Sequence, residues 1–419
     1  MPFGAKWPTA ETMKQELWLF TMRFPFGNGE AFLENELPIL ANGIQRVRIF
    51  PLLPIGEARP VPANVETVCL FDENNAYRPL SIGRMLLDLP NMLTVWRSGR
   101  RSAPSPQIFA KYRREFLSAM RQAFARERIL RKWMIGSYEP DLVSLYSYWS
   151  SDWATVLGIR KMHDERTHFV SRMMGFDMFD HRAPDGWQRF QDLHVAQADH
   201  VYVIAEAGLA HMQGRLPLAR NKFSISYLAT HDHGLGPWAS AEELRIVSCS
   251  NLVELKRVHL IAEALGQVKG PVRWTHFGDG PEREYVETLV RELPGNVTVQ
   301  LMGSRPNSEV IAWYGANPVD VFMHASRTEG GAPVALQEAA SFGIPLIAAD
   351  AGGVREIVMP ETGTLLPNDI TSEMIAEALN GFKTSNWYDV AARSRVRSFW
   401  ASKFNAKEVY ARLLEDLLK

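Results

Sequence analysis

The sequence predicts an α/β fold built as two domains, each a parallel sheet with helices on both faces. Three observations carry this expectation. The chain has 419 residues, long for one core and comfortable for two of about 200 residues each. Short β-rich runs alternate with helix-period segments in both halves, which is the mark of βαβ units. An aperiodic stretch rich in Gly, His and Pro, 229–241, separates the halves and reads as a linker.

The second half gives its elements in order. RIVSC (245–249) precedes a helix near 255–268, and VRWTHFG (272–278) precedes one near 281–292. VTVQLMG (297–303) is followed by a helix near 307–315, VDVFMHA (319–325) by one starting near Pro333, and IPLIAAD (344–350) continues the series. In the first half ELWLFT (16–21) reads as a buried strand, followed by a Gly-containing loop and a helix near 30–41. VRIFPLL (47–53), DLVSLYS (141–147), HFVSRM (168–173) and HVYVIA (200–205) are further strand candidates. A long helical insertion occupies about 80–136, and helices are expected near 385–398 and 402–418. The expected domains are 1–235, completed by the C-terminal helix 400–419, and 236–399.

Bulk composition narrows the function classes. Hydrophobic residues make up 46% and charged residues 22%, with a net charge of −1, so overall charge favours neither nucleic acid nor membrane. Cys69 and Cys249 lie far apart in apolar runs and read as small buried hydrophobes, which fits a reducing cytoplasm. The opening residues lack a basic head with a long apolar core, so no leader is expected. No run approaches the ~18 apolar residues of a membrane span. The segment 96–136 departs from this neutrality, with eleven basic residues against two acidic ones. Phe109, Tyr112, Phe116 and Met120 follow helical spacing within it. That pattern predicts either a helix lying peripherally on an anionic membrane, on the inner face, or an ordinary domain helix whose apolar stripe packs inward while its cations are solvated.

The strongest chemical signal is 325–358, ASRTEGGAPVALQEAASFGIPLIAADAGGVREIV. A strand ends near Ala325. The loop Glu329, Gly330, Gly331, Ala332 lets backbone approach a ligand closely. Pro333 then stands where a first helical residue would, followed by Val334. Free amides at that helix start suit a diphosphate. Glu329 is placed to meet sugar hydroxyls and Glu338 to hold a ribose diol. Taken singly, Glu329 reads rather as a helix cap and Glu338 as a solvated residue; the Gly-Gly-Pro loop and the following GIP…GG…E pattern favour the site.

This segment resembles the donor signature of glycosyltransferase family 4, the retaining enzymes of GT-B fold. There a Glu, seven residues and a second Glu are followed by G-x-P and G-G-x-x-E. The chain has Gly343-Ile344-Pro345, Gly352-Gly353 and Glu356, but eight residues separate Glu329 from Glu338. A second matching stretch is 246–265, where Lys256 takes the place of the lysine that neutralises the donor diphosphate. The family's Gly-Arg pair is replaced by Ser250-Asn251, leaving Arg257, Arg305 or Arg327 as substitutes. Asn251 is accordingly a donor-contact candidate. HFGDGPEREYV (276–286) resembles the strand–GxGP–helix turn, and Gly303 and Ser304 are base-contact candidates.

In the first half, Gly27 and Gly29 resemble the Gly-rich loop whose amides are free for phosphate or acceptor; a plain β–α turn reads the same way. VSRMMGFDMFD (170–180) is similar to a segment in which polysaccharide transferases carry a His before Gly-x-Asp. Met174 stands at that position, with Asp177 following, and both are candidates for the cleft. The resemblance implies a GT-B architecture with two sheets facing an interdomain cleft. It implies retaining transfer from a nucleotide-diphosphate sugar, with Lys256 and Glu329 as catalytic candidates. The acceptor class it implies is a glycan or lipid-linked sugar of bacterial surface polysaccharides. No cofactor, nucleic acid or metal is expected, since His231 and His233 flank Asp232 without a further ligand.

Two other readings stay open. A non-catalytic sugar-nucleotide or glycan-binding relative is motivated by Met174, Asn251 and the glutamate spacing. A dinucleotide-dependent oxidoreductase is disfavoured, because Gly27-x-Gly29 is followed by Phe32, and Gly278-x-Gly280 by Arg283, where a third glycine is needed.

Overall fold

The computed structural model describes residues 14–419, so the first part of the stretch in which no leader is expected lies outside the described residues. The chain divides into two compact units. One runs to Ser226 and includes Tyr410–Lys419; the other is Tyr227–Val409. The 229–241 stretch lacks regular structure apart from a bridge at Thr230 and belongs to the second unit.

The first unit is built on seven parallel strands: β1 (Glu16–Thr21), β2 (Arg46–Pro51), β3 (Val65–Thr67), β4 (Val143–Ser147), β5 (Phe169–Met173), β6 (His200–Val203) and β7 (Phe223–Ile225). Their order is β3-β2-β1-β4-β5-β6-β7. The apolar run Leu17–Phe20 is fully buried, because helices cover both faces of the central strand. Glu16 pairs with Arg46 on one side and Val143 on the other. The second unit has six parallel strands: β8 (Leu244–Cys249), β9 (Val272–Phe277), β10 (Val297–Leu301), β11 (Val321–His324), β12 (Leu346–Ala349) and β13 (Gly363–Leu366), in the order β10-β9-β8-β11-β12-β13. In both sheets the chain moves outward from a first central strand, then returns and proceeds the other way. The reversal falls between β1 and β4, and between β8 and β11. Doubly wound sheets open a ligand crevice at such a point, beyond the carboxyl ends of the strands.

The basic insertion is two helices, Leu89–Ser102 and Pro106–Met134. Ser105 caps the second through its side chain, accepting from the Ile108 amide, and Pro106 fills the first helical position. The expected apolar membrane stripe is not free. Phe109, Phe116 and Met120 pack against Met92, Val95, Trp187 and Leu193 in a buried cluster. Phe116 stacks on Trp187 with ring centroids 5.4 Å apart. Gly99 permits the approach of the two helices, since a Cβ there would meet the Phe116 ring at 2.2 Å. The stripe is therefore core, and only Tyr112 is half-buried. Among the described residues no helix is long and apolar enough to cross a membrane.

Other departures are local. Cys69 is exposed rather than buried, because the chain after the short edge strand β3 runs along the surface. The last two helices are Val390–Phe404 and Ala406–Leu417, broken at Asn405, whose extended backbone bridges to Thr230.

Candidate active site

In the second unit the residues after β8 and β11 converge at the reversal of strand order. Beyond Cys249 the chain runs through Ser250, Asn251 and Leu252 into a single helical turn, Glu254–Lys256, before the helix Val258–Leu265. Arg257 between them takes a left-handed conformation (φ 49°). It is held there by its guanidinium, which donates to the carbonyls of Ala325 (2.7 Å) and Ser326 (3.1 Å). This pins the start of that helix to the end of β11 and sets the direction of Lys256.

Lys256 Nζ donates to Glu329 Oε1 at 2.5 Å. His324, the last residue of β11, lies 3.1 Å from the same oxygen through Nε2. Burial pushes the Glu329 carboxyl up, but the His324 hydrogen bond and the Lys256 ammonium outweigh it and hold it at about 2. Glu329 is thus firmly ionised, facing one cation and one imidazole. Glu338, in the helix Val334–Ser341, is buried and accepts from Asn307 Nδ2 at 2.7 Å. Burial pushes its carboxyl up to about 7, against the opposing Asn307 bond. The Cys249 thiol joins these groups: burial, reinforced by Glu338 and opposed by Lys256, pushes it up to about 12. Lys256, Glu329 and Glu338 therefore surround the carboxyl end of β8.

Glycines hold the loops of this site against one another. A Cβ on Gly352 (φ 56°) would meet the Glu329 carbonyl oxygen at 2.1 Å, and one on Gly353 would meet Gly331 Cα at 2.5 Å. The Gly352-Gly353 turn is thus the bed on which Glu329, Gly330, Gly331 and Ala332 lie. The nine-step interval between the glutamates leaves Glu329 on Lys256 and Glu338 beside Cys249. The turn 278–280 packs in the same way on the strand-end loop. A Cβ on Gly278 would meet the Ser250 carbonyl oxygen at 1.9 Å, and the Leu252 amide donates to the Asp279 carbonyl. Gly303 (φ 70°) accepts from the Gly278 amide at 2.9 Å, with Ser304 exposed beside it. Pro333 is the residue before the helix rather than its first, so Val334 and Ala335 carry the first unpaired amides. Asn251 is exposed. Of the arginines offered as substitute cations, Arg257 is spent on backbone carbonyls, Arg305 donates to the Met302 carbonyl, and Arg327 is exposed, 3.8 Å from Glu254.

The first-unit candidates have different settings. Gly27 (φ 62°) makes a turn that needs a left-handed residue, and Gly29 is exposed. The amides that precede them are not free for a phosphate. Those of Met22, Arg23 and Phe24 all donate to the Glu30 carboxylate, which also accepts from Trp149 Nε1 at 2.6 Å. The loop is thus shaped by an internal anion. Met174 is buried, and its amide donates to Asp177; Asp177 also accepts from the Ser150 amide at 2.9 Å. Burial pushes the Asp177 carboxyl up to about 7, against those amides. Asp177 ties the end of β5 to the loop after β4. His324 and Asn307 were not singled out from sequence, and Glu30 read only as an acidic residue at a helix start. His324 alone had a signal, as a polar residue at a strand end five positions before Glu329.

Residues 238–397 match the family described as "Glycosyl transferases group 1". The chain is 27% identical over 256 residues to the putative colanic acid biosynthesis glycosyltransferase WcaL of Escherichia coli K12, covering 58% of this chain and 61% of that protein. The matched stretch thus spans about three fifths of that relative's length. In fold the chain is similar to the lipopolysaccharide outer core galactosyltransferase WaaB in its apo form, with TM-score 0.66, 13% identity and coverage of 96% and 98%. It is also similar to Anabaena Alr3699/HepE in complex with UDP, with TM-score 0.62, 15% identity and coverage of 96% and 99%. Residues 238–397 therefore belong to the group 1 glycosyl transferases, and the chain has the two-unit GT-B fold of glycosyltransferases.

Proposed function

We propose that this protein transfers a sugar, with retention, from a nucleoside-diphosphate donor to a glycan or lipid-linked acceptor in surface-polysaccharide synthesis. The observation that carries the reading is the Lys256–Glu329 ion pair beside buried Glu338 at the strand reversal of the second sheet. In this reading the unpaired amides of Val334 and Ala335 and the Lys256 ammonium meet the diphosphate, with Gly330 and Gly331 admitting it closely. Glu338 receives the ribose diol, Gly303 and Ser304 flank the base, and Glu329 orients Lys256 and meets the donor sugar. Lys256 supplies the cation for the leaving group, so no metal is required, and the departing diphosphate takes the acceptor proton. The relatives named for colanic acid synthesis and lipopolysaccharide core transfer, and the UDP bound by HepE, support this class of donor and product. The experiment is to incubate the protein with UDP-, GDP- and ADP-sugars without acceptor and follow release of the nucleoside diphosphate. Slow hydrolysis of one donor supports the reading. Binding without turnover, with or without glycan acceptors, favours the non-catalytic relative.

The acceptor side of the proposal includes an anionic membrane surface in the cytoplasm. Arg97, Arg100, Arg101, Lys111, Arg113 and Arg114 are exposed at one end of the helix pair, with Leu89 and Leu93 exposed on the first helix. Arg121 and Arg126 do not contribute, since they donate to the carbonyls of Leu80 and Ala76.

A further inference from the structure

Glu329 has two partners on a single oxygen. Lys256 Nζ donates to Oε1 at 2.5 Å, and His324 Nε2 lies 3.1 Å from the same atom. An ionised carboxylate only accepts, so this imidazole carries its proton on Nε2. The other ring nitrogen, Nδ1, is buried and meets no partner among the described residues. A second proton there would be an unpaired donor on a buried cation, close to the Lys256 ammonium. In the free protein the group is therefore an ammonium, a carboxylate and a neutral imidazole.

The two partners differ in freedom. His324 is buried at the end of β11, its register fixed against Ala348 of β12. Lys256 lies on a single helical turn, and its side chain is partly exposed. Other charged groups around this strand end are committed elsewhere. Arg257 donates to the carbonyls of Ala325 and Ser326, Glu338 accepts from Asn307, Asp350 pairs with Arg355, and Arg327 faces Glu254. The Cys249 thiol, pushed up to about 12 by burial, stays neutral. A ligand that draws Lys256 away thus leaves a largely buried carboxylate beside a neutral imidazole. An uncompensated buried charge is costly, and a proton on Nδ1 turns that hydrogen bond into a charge-assisted one. We propose that His324 is a positioning residue that takes Glu329 over from Lys256 when a nucleoside diphosphate binds, gaining a proton from solvent as it does so. The proton joins the Nδ1 lone pair, no other covalent bond changes, and the imidazolium replaces the ammonium as counter-charge to Glu329. The nucleotide's part in this exchange rests on the proposed function; the pairing of His324 with Glu329 does not.

Two measurements on the full chain test it. The first needs no ligand: an NMR pH titration of the His324 ring, its signal assigned by loss in His324→Asn, or in His324→Gln should the Asn variant fail to fold. In Lys256→Ala the ring should titrate about one pH unit or more above the wild type, because the carboxylate then faces it without the repelling ammonium. An unmoved titration would overturn the inference. The second is calorimetric titration with UDP, GDP and ADP in buffers of different ionisation enthalpy. It is run at about pH 8, above the ~6 of a terminal phosphate and the value of about 7 for Glu338. Binding should be accompanied by proton uptake in the wild type that is lost in His324→Asn, whose amide can donate to Glu329 but cannot gain a proton. Binding that takes up protons weakens as pH rises, so above that pH wild-type affinity should fall by up to about tenfold per pH unit, and less steeply in the variant. Equal uptake in the two proteins would overturn the inference and leave the donor site standing. A nucleotide-blind protein in which Lys256→Ala still moves the His324 titration would sink the proposed function and leave the pairing standing.

Discussion

Lys256 and Glu329 neutralise one another at 2.5 Å in a partly buried setting, and His324 closes the group from the strand end. On the proposed reading, an incoming diphosphate would compete with Glu329 for the same ammonium. If Lys256 stabilises the leaving group, Lys256→Ala lowers the chemical rate by about 10²-fold or more, measured as single-turnover release of nucleoside diphosphate at saturating donor. Unchanged release would remove Lys256 from the chemistry. Glu338 gives a prediction with a sign. Its carboxyl sits at about 7 against 4.5 for the free group, so it stabilises the fold fully below the unfolded value and loses that contribution as pH rises through about 7. Glu338→Gln should flatten stability against pH across that window, followed by denaturant melts. If this carboxyl holds the donor's ribose it accepts hydroxyls best when ionised, so donor affinity should rise as pH rises through 7 in the wild type and stay level in Glu338→Gln. At this scale the sequence was partly legible. Glu329 and Glu338 could be picked out because the Gly330-Gly331 loop, Gly343 and Gly352-Gly353 mark them, and Lys256 only through the resemblance of 246–265 to the family's donor site. Arg257 looked like a spare cation, and only its two carbonyl partners reveal it as a brace. The amides near Gly27 looked free, and only the position of Glu30 shows them filled.

At the level of elements, the site depends on one turn lying against another. Gly353→Ala would drive a Cβ into Gly331 Cα, where neither backbone can yield cheaply. The loop bearing Glu329 should shift, lowering donor affinity with a smaller loss of melting temperature, because the core clusters are untouched. Calorimetric titration with the preferred donor checks it; wild-type affinity would mean the two turns are independent. The helix pair Leu89–Ser102 and Pro106–Met134 separates two roles that amphipathic periodicity confounds. A stripe of Phe and Met at helical spacing is the same pattern whether it meets lipid or a neighbouring helix, and here it meets Trp187 and Phe190. Phe116→Ala should therefore cost about 3–5 kcal/mol of stability, read by denaturant unfolding. Any membrane affinity must come from the exposed cations. Changing Arg97, Arg101, Arg113 and Arg114 to Glu should abolish flotation with anionic liposomes and leave melting nearly unchanged. Equal recovery on neutral and anionic vesicles would contradict the electrostatic surface.

For the molecule as a whole, strand–helix alternation made the two parallel sheets legible, since short β-rich runs such as 17–20 and 246–249 recur at βαβ spacing. The edge strands β3, β7 and β13, of three or four residues, were not legible, because so short a run has no period to count. The break between the last two helices was expected near 399–401 and falls at Asn405, where a bridge to Thr230, far away in sequence, sets it. On the proposed function, the crevice at the β8–β11 reversal takes a sugar nucleotide. Ligand that binds only the folded state raises stability by about 2.7 kcal/mol at a hundred times its Kd. The most direct measurement is therefore thermal unfolding with UDP-, GDP- and ADP-sugars, for the wild type and Glu338→Ala. Tm is expected to rise with the concentration of one donor family, an effect lost or sharply reduced in Glu338→Ala. No rise with any sugar nucleotide, or an equal rise in the variant, would contradict it.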